Sequence, residues 1–134
     1  MAGRTLLAIP AYNEAEHLPR VLSGVLQVID APHVLVIDDG STDGTLEAIG
    51  HLGLTTLRHP KNEGKGVSLR QALRYAVEKK YDWLLCMDGD GQHDPADLQI
   101  FLQLIARDQA DVILGERMHQ AGHMPLQRQW SNRL

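Results

Sequence analysis

Val34-Leu35-Val36-Ile37-Asp38-Asp39-Gly40 is the stretch on which the fold turns. An unbroken apolar run rich in β-branched residues suits a strand covered on both faces. A half-exposed strand would alternate apolar with polar residues instead. The run stops at two acids and a glycine, so a buried strand delivers carboxylates to its own carboxyl end. Upstream, Thr5-Leu6-Leu7-Ala8-Ile9 repeats the pattern and is closed by Pro10. Between the two, Leu18, Val21, Leu22 and Val25 recur at helical spacing. Asn13-Glu14-Ala15-Glu16 offers an N-cap with Glu at the third helical position, so the spacing predicts a helix from there to about Val28.

Downstream the alternation continues. A helix is expected from near Asp43 to near Gly50, and a third strand over residues 54–57. Leu69, Ala72, Leu73, Ala76 and Val77 then form one apolar helix face with Arg70, Arg74 and Glu78 opposite. Residues 83–87 read as a fourth strand ending in Asp88. Asp94 caps a further helix with Pro95 at its first position and Leu98, Phe101, Leu102 and Ile105 on one face. Residues 111–115 read as a fifth strand. Strands and helices in strict alternation imply an α/β fold: a mostly parallel sheet with helices on both faces. Right-handed crossovers bring every strand's carboxyl end to one edge, where ligands bind in such sheets. Pro10-Ala11-Tyr12, Asp38-Asp39, Asp88-Gly89-Asp90 and Glu116-Arg117 all converge there.

Composition bounds what that edge can do. The 134 residues carry 13 Lys+Arg against 17 Asp+Glu, a net charge of −4, which argues against a nucleic-acid partner. With 43% hydrophobic and 22% charged residues, the chain reads as about one globular domain. The single cysteine, Cys86, excludes an internal disulfide and a cysteine-based zinc site, and is expected buried in its strand. Apolar runs such as residues 6–11 fall far short of the roughly 20 needed to span a bilayer. Arg4 is not followed by an apolar stretch of signal-peptide length, so a cytoplasmic location is expected.

Asp88-Gly89-Asp90 is the most informative element of the edge. Two carboxylates at i and i+2 past a buried strand can bring oxygens to one point, and Gly89 and Gly91 ease the turn. Mg²⁺ takes one or two carboxylates plus substrate phosphates, and Gln92 adds a carbonyl oxygen. The plain alternative is a pair of solvated acids. An EF-hand loop from Asp88 would need Gly at 93 and Glu at 99, where the chain has His93 and Gln99. Gly64-Lys65-Gly66 lacks the first glycine and the hydroxyl residue of a P-loop, and Leu69 replaces the third glycine of a dinucleotide fingerprint. Tyr12 either closes the core or offers its ring to a base. Asp39 either belongs to a plain turn, with Ser41 or Asp43 capping the next helix, or accepts from a nucleobase N–H. Lys65 and Arg117 are candidate anion contacts. The histidines lack ligand spacing, and His93 is better read as packed than as a ligand.

Four ordered stretches resemble a known family: Ile9-Pro10-Ala11-Tyr12-Asn13-Glu14, Val36-Ile37-Asp38-Asp39-Gly40-Ser41-Thr42-Asp43-Gly44-Thr45, Asn62-Glu63-Gly64-Lys65-Gly66 and Met87-Asp88-Gly89-Asp90-Gly91-Gln92-His93-Asp94-Pro95. They look like family 2 glycosyltransferases of GT-A fold, nearest in flavour to the dolichyl- and polyprenyl-phosphate sugar transferases. The resemblance implies a Rossmann-like nucleotide-sugar-binding half over residues 1–118, with residues 119–134 a loop and the start of a C-terminal helix. It implies a UDP- or GDP-sugar donor held by Pro10, Ala11, Tyr12, Glu14, Asp39, Lys65 and Gly89. Asp88, Asp90 and Gln92 would hold Mg²⁺ or Mn²⁺ on the diphosphate, with Asp88, Asp90 and Arg117 as the catalytic set. Transfer would proceed with inversion to a lipid phosphate or a saccharide.

The family's catalytic domains are longer than this chain, so the sequence reads as truncated after its donor half. No general base is assignable in it. The expectations that follow are a donor-binding or interaction module with inefficient turnover, self-association, and peripheral contact with a membrane at its inner face. Two rivals fit less well. Haloacid-dehalogenase-type phosphatases place their motif after the first strand and want Thr or Val where Gln92 stands. Nucleotidyltransferases carry a glycine-rich basic segment where this chain has Pro10-Ala11-Tyr12-Asn13.

Overall fold

A computed structural model describes residues 3–91 and 94–108. Four strands, β1 (Thr5–Ala11), β2 (Val34–Asp38), β3 (Thr55–Arg58) and β4 (Trp83–Cys86), alternate with four helices. The helices are α1 (Leu18–Val25), α2 (Thr45–Ile49), α3 (Lys65–Glu78) and α4 (Asp97–Arg107). The sheet is parallel throughout in the order β3-β2-β1-β4, so the expected α/β architecture is the one observed. The chain steps outward from β1 to β3 and then crosses back to β4 on the far side of β1. That reversal leaves a crevice at the carboxyl ends of β1 and β4.

The period-two alternation of the strands divides the core into two layers. Leu7, Ile9, Ala11, Val34, Val36, Leu85 and Met87 pack against Leu18, Leu22 and Val25 of α1, Ile49 of α2, and Leu98 and Ile105 of α4. Leu6, Ala8, Leu35 and Ile37 point the other way, onto Ala72 and Ala76 of α3. Helices therefore cover both faces. Every residue of β2 is buried, as its unbroken apolar run predicts. Burying a side chain such as Leu35 or Ile37 contributes about 1.5–3 kcal/mol.

Several local expectations need correction. Pro10 does not close β1, which runs on to Ala11. The Met87 N–H donates to the Ala8 carbonyl and the Asp39 N–H to the Ala11 carbonyl, so even-numbered residues of β1 face β4 and odd-numbered ones face β2. Pro10 thus turns its missing N–H toward β4, beyond the last paired residues Ala8 and Cys86, where no ladder bond is forfeited. Asn13 does not cap α1: the N-cap position is His17, and the Asn13 side chain accepts from the Thr42 N–H instead. The helix starts at Leu18 with Pro19 in its first turn, and regular α-helix ends at Val25 rather than near Val28.

The inner stripe of α3 is Ser68, Ala72 and Ala76, whereas Leu73 and Val77 are 54% and 75% exposed. Small residues at i, i+4 and i+8 let this helix lie close to the sheet, and that turns the larger side chains outward. Cys86 is exposed rather than buried, since β4 is the edge of the sheet among the described strands. Asp94 accepts from the Ala96 N–H at 2.9 Å, a capping bond one turn ahead of the regular helix α4. The fifth strand read over 111–115 and the segment 119–134 lie outside the described residues. No helix among the described residues is long and apolar enough to cross a membrane.

Candidate functional site

The loop after β2 organises the carboxyl edge. Gly40 sits at φ 79, and a Cβ there would come within 2.4 Å of the Lys61 backbone, so only glycine lets the two loops touch. Ser41 and Asp43 do not cap α2. They reach across to the loop after β1 and satisfy backbone groups that no strand partner serves. The Asn13 N–H donates to Ser41 Oγ at 2.8 Å and the Glu14 N–H to Thr45 Oγ1 at 3.0 Å. The Ala15 N–H donates to Asp43 Oδ2 at 3.1 Å, and the Thr42 N–H returns a bond to Asn13 Oδ1 at 2.8 Å. Through this stitching the Asp-Gly-Ser-Thr-Asp-Gly-Thr stretch holds the backbone of residues 13–15 in place, which is a structural role.

The loop after β3 is held by Asp39, which is buried. Its carboxylate accepts from the Glu63 N–H at 2.8 Å, the Gly64 N–H at 2.9 Å and His59 Nδ1 at 2.7 Å. Burial pushes the Asp39 carboxyl up, but the bonds from Glu63, His59 and Gly64 outweigh it and hold the group below its ordinary range. The neighbouring Asp38 faces the opposite side of the sheet. It accepts from the Ser41 N–H and lies 3.3 Å from Arg58 Nε.

Between these loops lies an open recess of about 240 Å³ lined by Pro10, Ala11, Tyr12, Asp39, Asn62, Gly64, Lys65, Ser68 and Asp88. Six of the sequence candidates are therefore gathered in one place: Pro10, Ala11, Tyr12, Asp39, Lys65 and Asp88. Tyr12 is 46% exposed and does not close the core; its ring is available to a ligand. Lys65 Nζ meets Asp88 Oδ1 at 2.5 Å. Gly89 is buried beside the recess, where a Cβ would come within 3.1 Å of Leu18.

Glu14 is half-buried and does not line the recess. Burial raises its carboxyl, and the charges of Asp90, Asp43 and Asp88 push the same way, against His17. Among the described residues no group of three or more His, Cys, Asp or Glu could hold a metal. Asp88 and Asp90 are two carboxylates, too few by themselves for a tight metal site. Gln92 and Arg117, the other two candidates, lie outside the described residues.

Sequence reasoning missed Asn62, Gly64 and Ser68 as lining residues. The signal was present, because Asn62 and Gly64 follow β3 and the edge rule collects the end of every strand. Ser68 lies one helical turn beyond Gly64. Its buried hydroxyl has no hydrogen-bond partner among the described residues.

The sequence pattern of glycosyl transferase family 2 matches residues 7–132. An undecaprenyl-phosphate mannosyltransferase of Micrococcus luteus is 34% identical over 126 residues, covering 90% of this chain and 51% of that protein. A polyprenol monophosphomannose synthase of Mycolicibacterium smegmatis is 33% identical over 120 residues, covering 85% and 45%. The chain thus spans about half the length of these relatives. Among solved structures, a Pyrobaculum calidifontis mannosyltransferase in complex with GDP-Man and Mn²⁺ superposes with a TM-score of 0.57 at 30% identity, covering 67% of this chain and 28% of that one. A glucosyl-3-phosphoglycerate synthase of Mycobacterium tuberculosis in complex with UDP gives a TM-score of 0.66 at 19% identity, over 89% of this chain and 47% of that one, a likeness of fold.

Proposed function

The chain belongs to glycosyl transferase family 2 and has the GT-A fold, and on that premise we propose that it forms the donor side of a metal-dependent, inverting sugar transferase. The observation that carries the reading is the recess itself: an aromatic ring, a lysine and the first acid of an Asp-X-Asp pair face one cleft at the switch point of the sheet. Pro10, Ala11 and Tyr12 offer a wall and a ring face for the nucleoside, Asp39 completes the lining, and Glu14 is added by the family resemblance alone. Gly89 lets the Asp88–Asp90 turn lie close to that wall. Lys65 stands at the amino end of α3, where a diphosphate would meet both its ammonium and the helix's free N–H groups.

Asp88 and Asp90, with Gln92, are the residues that would hold Mg²⁺ or Mn²⁺. A cation bound there would stabilise the charge on a departing nucleoside diphosphate as a Lewis acid. Arg117 follows the region read as a fifth strand and is assigned to the same edge. The donor is a UDP- or GDP-sugar, since uracil and guanine each present a ring N–H to an acceptor such as Asp39 and adenine does not. A polyprenyl phosphate suits the acceptor role, because it is already anionic and attacks without a protein base. Such an acceptor puts the reaction at a membrane face. The mannosyltransferase relatives and the GDP-Man and Mn²⁺ of the Pyrobaculum structure support this choice.

The experiment is a thermal-shift screen of nucleoside diphosphates with and without Mn²⁺, followed by transfer of radiolabelled sugar to polyprenyl phosphate. Ligands that bind the native state raise the melting temperature by mass action. UDP or GDP with Mn²⁺ should do so and ADP should not. Equal shifts for ADP and UDP would remove the base assignment, and labelled lipid would establish the transfer.

A further inference from the structure

His59 follows β3 and is only 4% exposed, yet both of its ring nitrogens face oxygens. Nδ1 lies 2.7 Å from Asp39 Oδ1 and Nε2 lies 2.5 Å from Gln71 Oε1 on α3. Glu63 Oε2 is 3.3 Å from Nδ1. A neutral imidazole has one donor and one acceptor nitrogen, so the ring carries both protons as long as Gln71 presents its oxygen rather than its NH₂ to Nε2. Asp39 gathers this ring and the Glu63 and Gly64 N–H groups on one carboxylate. Gly64 immediately precedes Lys65, and Asp39, Gly64 and Lys65 all line the recess.

We infer that His59 is a positioning residue for the donor recess: its doubly protonated ring, bridging Asp39 and Gln71, fixes the Glu63–Gly64 backbone and with it Lys65, so that a nucleoside diphosphate binds best while the ring is charged. This rests on the donor reading above. The groups facing the ring are Asp39 after β2, Glu63 in the loop after β3, and the neutral Gln71 of α3. Arg58 lies on the opposite face of β3, against Asp38 and Glu47. Burial disfavours the charged ring, but its bonds to Asp39 and Gln71 and the charges of Glu63 and Asp39 outweigh that and raise it above the ordinary histidine value. The charged clamp is therefore complete below about pH 6.5 and is lost as pH rises through the higher folded-state value. When the proton leaves, Gln71 must turn its amide over to donate to the bare nitrogen, and Asp39 loses its counter-charge.

The test combines two readouts on the full chain from about pH 6 to about pH 9. Nuclear magnetic resonance follows the His59 ring and the Glu63 and Gly64 amides without nucleotide. Calorimetry with Mg²⁺ follows GDP and UDP affinity over the same range. The ring should titrate above the ordinary value, and the two amides should shift with it. Affinity should fall by about five- to tenfold across that transition.

His59→Gln should bind weakly at every pH, without the His59 step. Gln71→Glu adds a third anion beside Asp39 and Glu63 and should move the step to higher pH. A ring that titrates at or below the ordinary value overturns the inference. So do amides that ignore the ring, or a His59→Gln profile that keeps the step. If the amides follow the ring but no nucleoside diphosphate binds at any pH, the donor reading fails, and with it the purpose assigned to the clamp.

Discussion

Asp39→Ala removes the acceptor that three donors share: the Glu63 N–H, the Gly64 N–H and the His59 ring. A hydrogen bond to a charged group contributes about 1.5–3 kcal/mol, and stripping one partner from a buried ionic network costs about 3–5 kcal/mol. The three bonds are not additive, because His59 can respond by shedding its proton. The expected loss is therefore about 3–5 kcal/mol, a large part of a typical stability of about 5–15 kcal/mol. Urea denaturation followed by circular dichroism reads it directly. With a slope near 2 kcal/mol per molar, the midpoint should fall by about 2 M.

The difference between wild type and variant should also narrow at both ends of the pH scale. Asp39's folded value is depressed, so its contribution is complete above the ordinary carboxylate range and lost as pH falls through the lower folded value. His59's value is raised, so its share is lost as pH rises above the ordinary histidine range. A variant less than about 1 kcal/mol weaker than wild type, or a gap that stays flat with pH, would refute the claim that this carboxylate ties the two loops together.

Other consequences follow from the same geometry. Gly40→Ala forces a Cβ into the Lys61–Asn62 backbone at positive φ and should cost about 2–4 kcal/mol by thermal or chemical denaturation. Ser68→Ala removes a buried hydroxyl without a hydrogen-bond partner among the described residues, and should leave stability unchanged or raise it by about 1 kcal/mol. Lys65→Ala should barely change stability, because the exposed Lys65–Asp88 pair is worth at most about 1 kcal/mol, yet it should weaken nucleoside diphosphate binding measured by calorimetry. Asn13→Ala unties the Thr42 N–H and should raise hydrogen exchange at residues 13–15 and 42.

Much of the fold is legible in the residue pattern, because buried parallel strands need continuous apolar runs and this chain has them. β2 is the clearest case, since its run and its buried residues coincide. Pattern fails where a residue's partner lies far away in sequence. Asn13, Ser41 and Asp43 look like helix caps locally, and only the loop-to-loop stitching across 28 residues shows what they hold. The inner stripe of α3 escapes the pattern because hydrophobicity favours Leu73 and Val77, whereas close helix–sheet packing favours Ser68, Ala72 and Ala76. At the site, the edge rule finds Tyr12, Asp39 and Asp88, because each follows a strand, and Lys65 is found from its place at the start of an amphipathic helix. It does not reveal that Asp39 is shared with His59, since nothing near either residue announces the other.

Calorimetric titration of GDP and UDP with and without Mn²⁺, on this chain and on Asp90→Asn, is the most direct test of the account. Asp88 and Asp90 alone supply too few ligands for a tight metal site, so metal and nucleotide should bind together. The account predicts weak Mn²⁺ binding by itself, nucleotide affinity that rises sharply with Mn²⁺, and loss of most of that rise in a folded Asp90→Asn. Nucleotide affinity indifferent to Mn²⁺, or an Asp90→Asn variant that keeps the full metal effect, would contradict it.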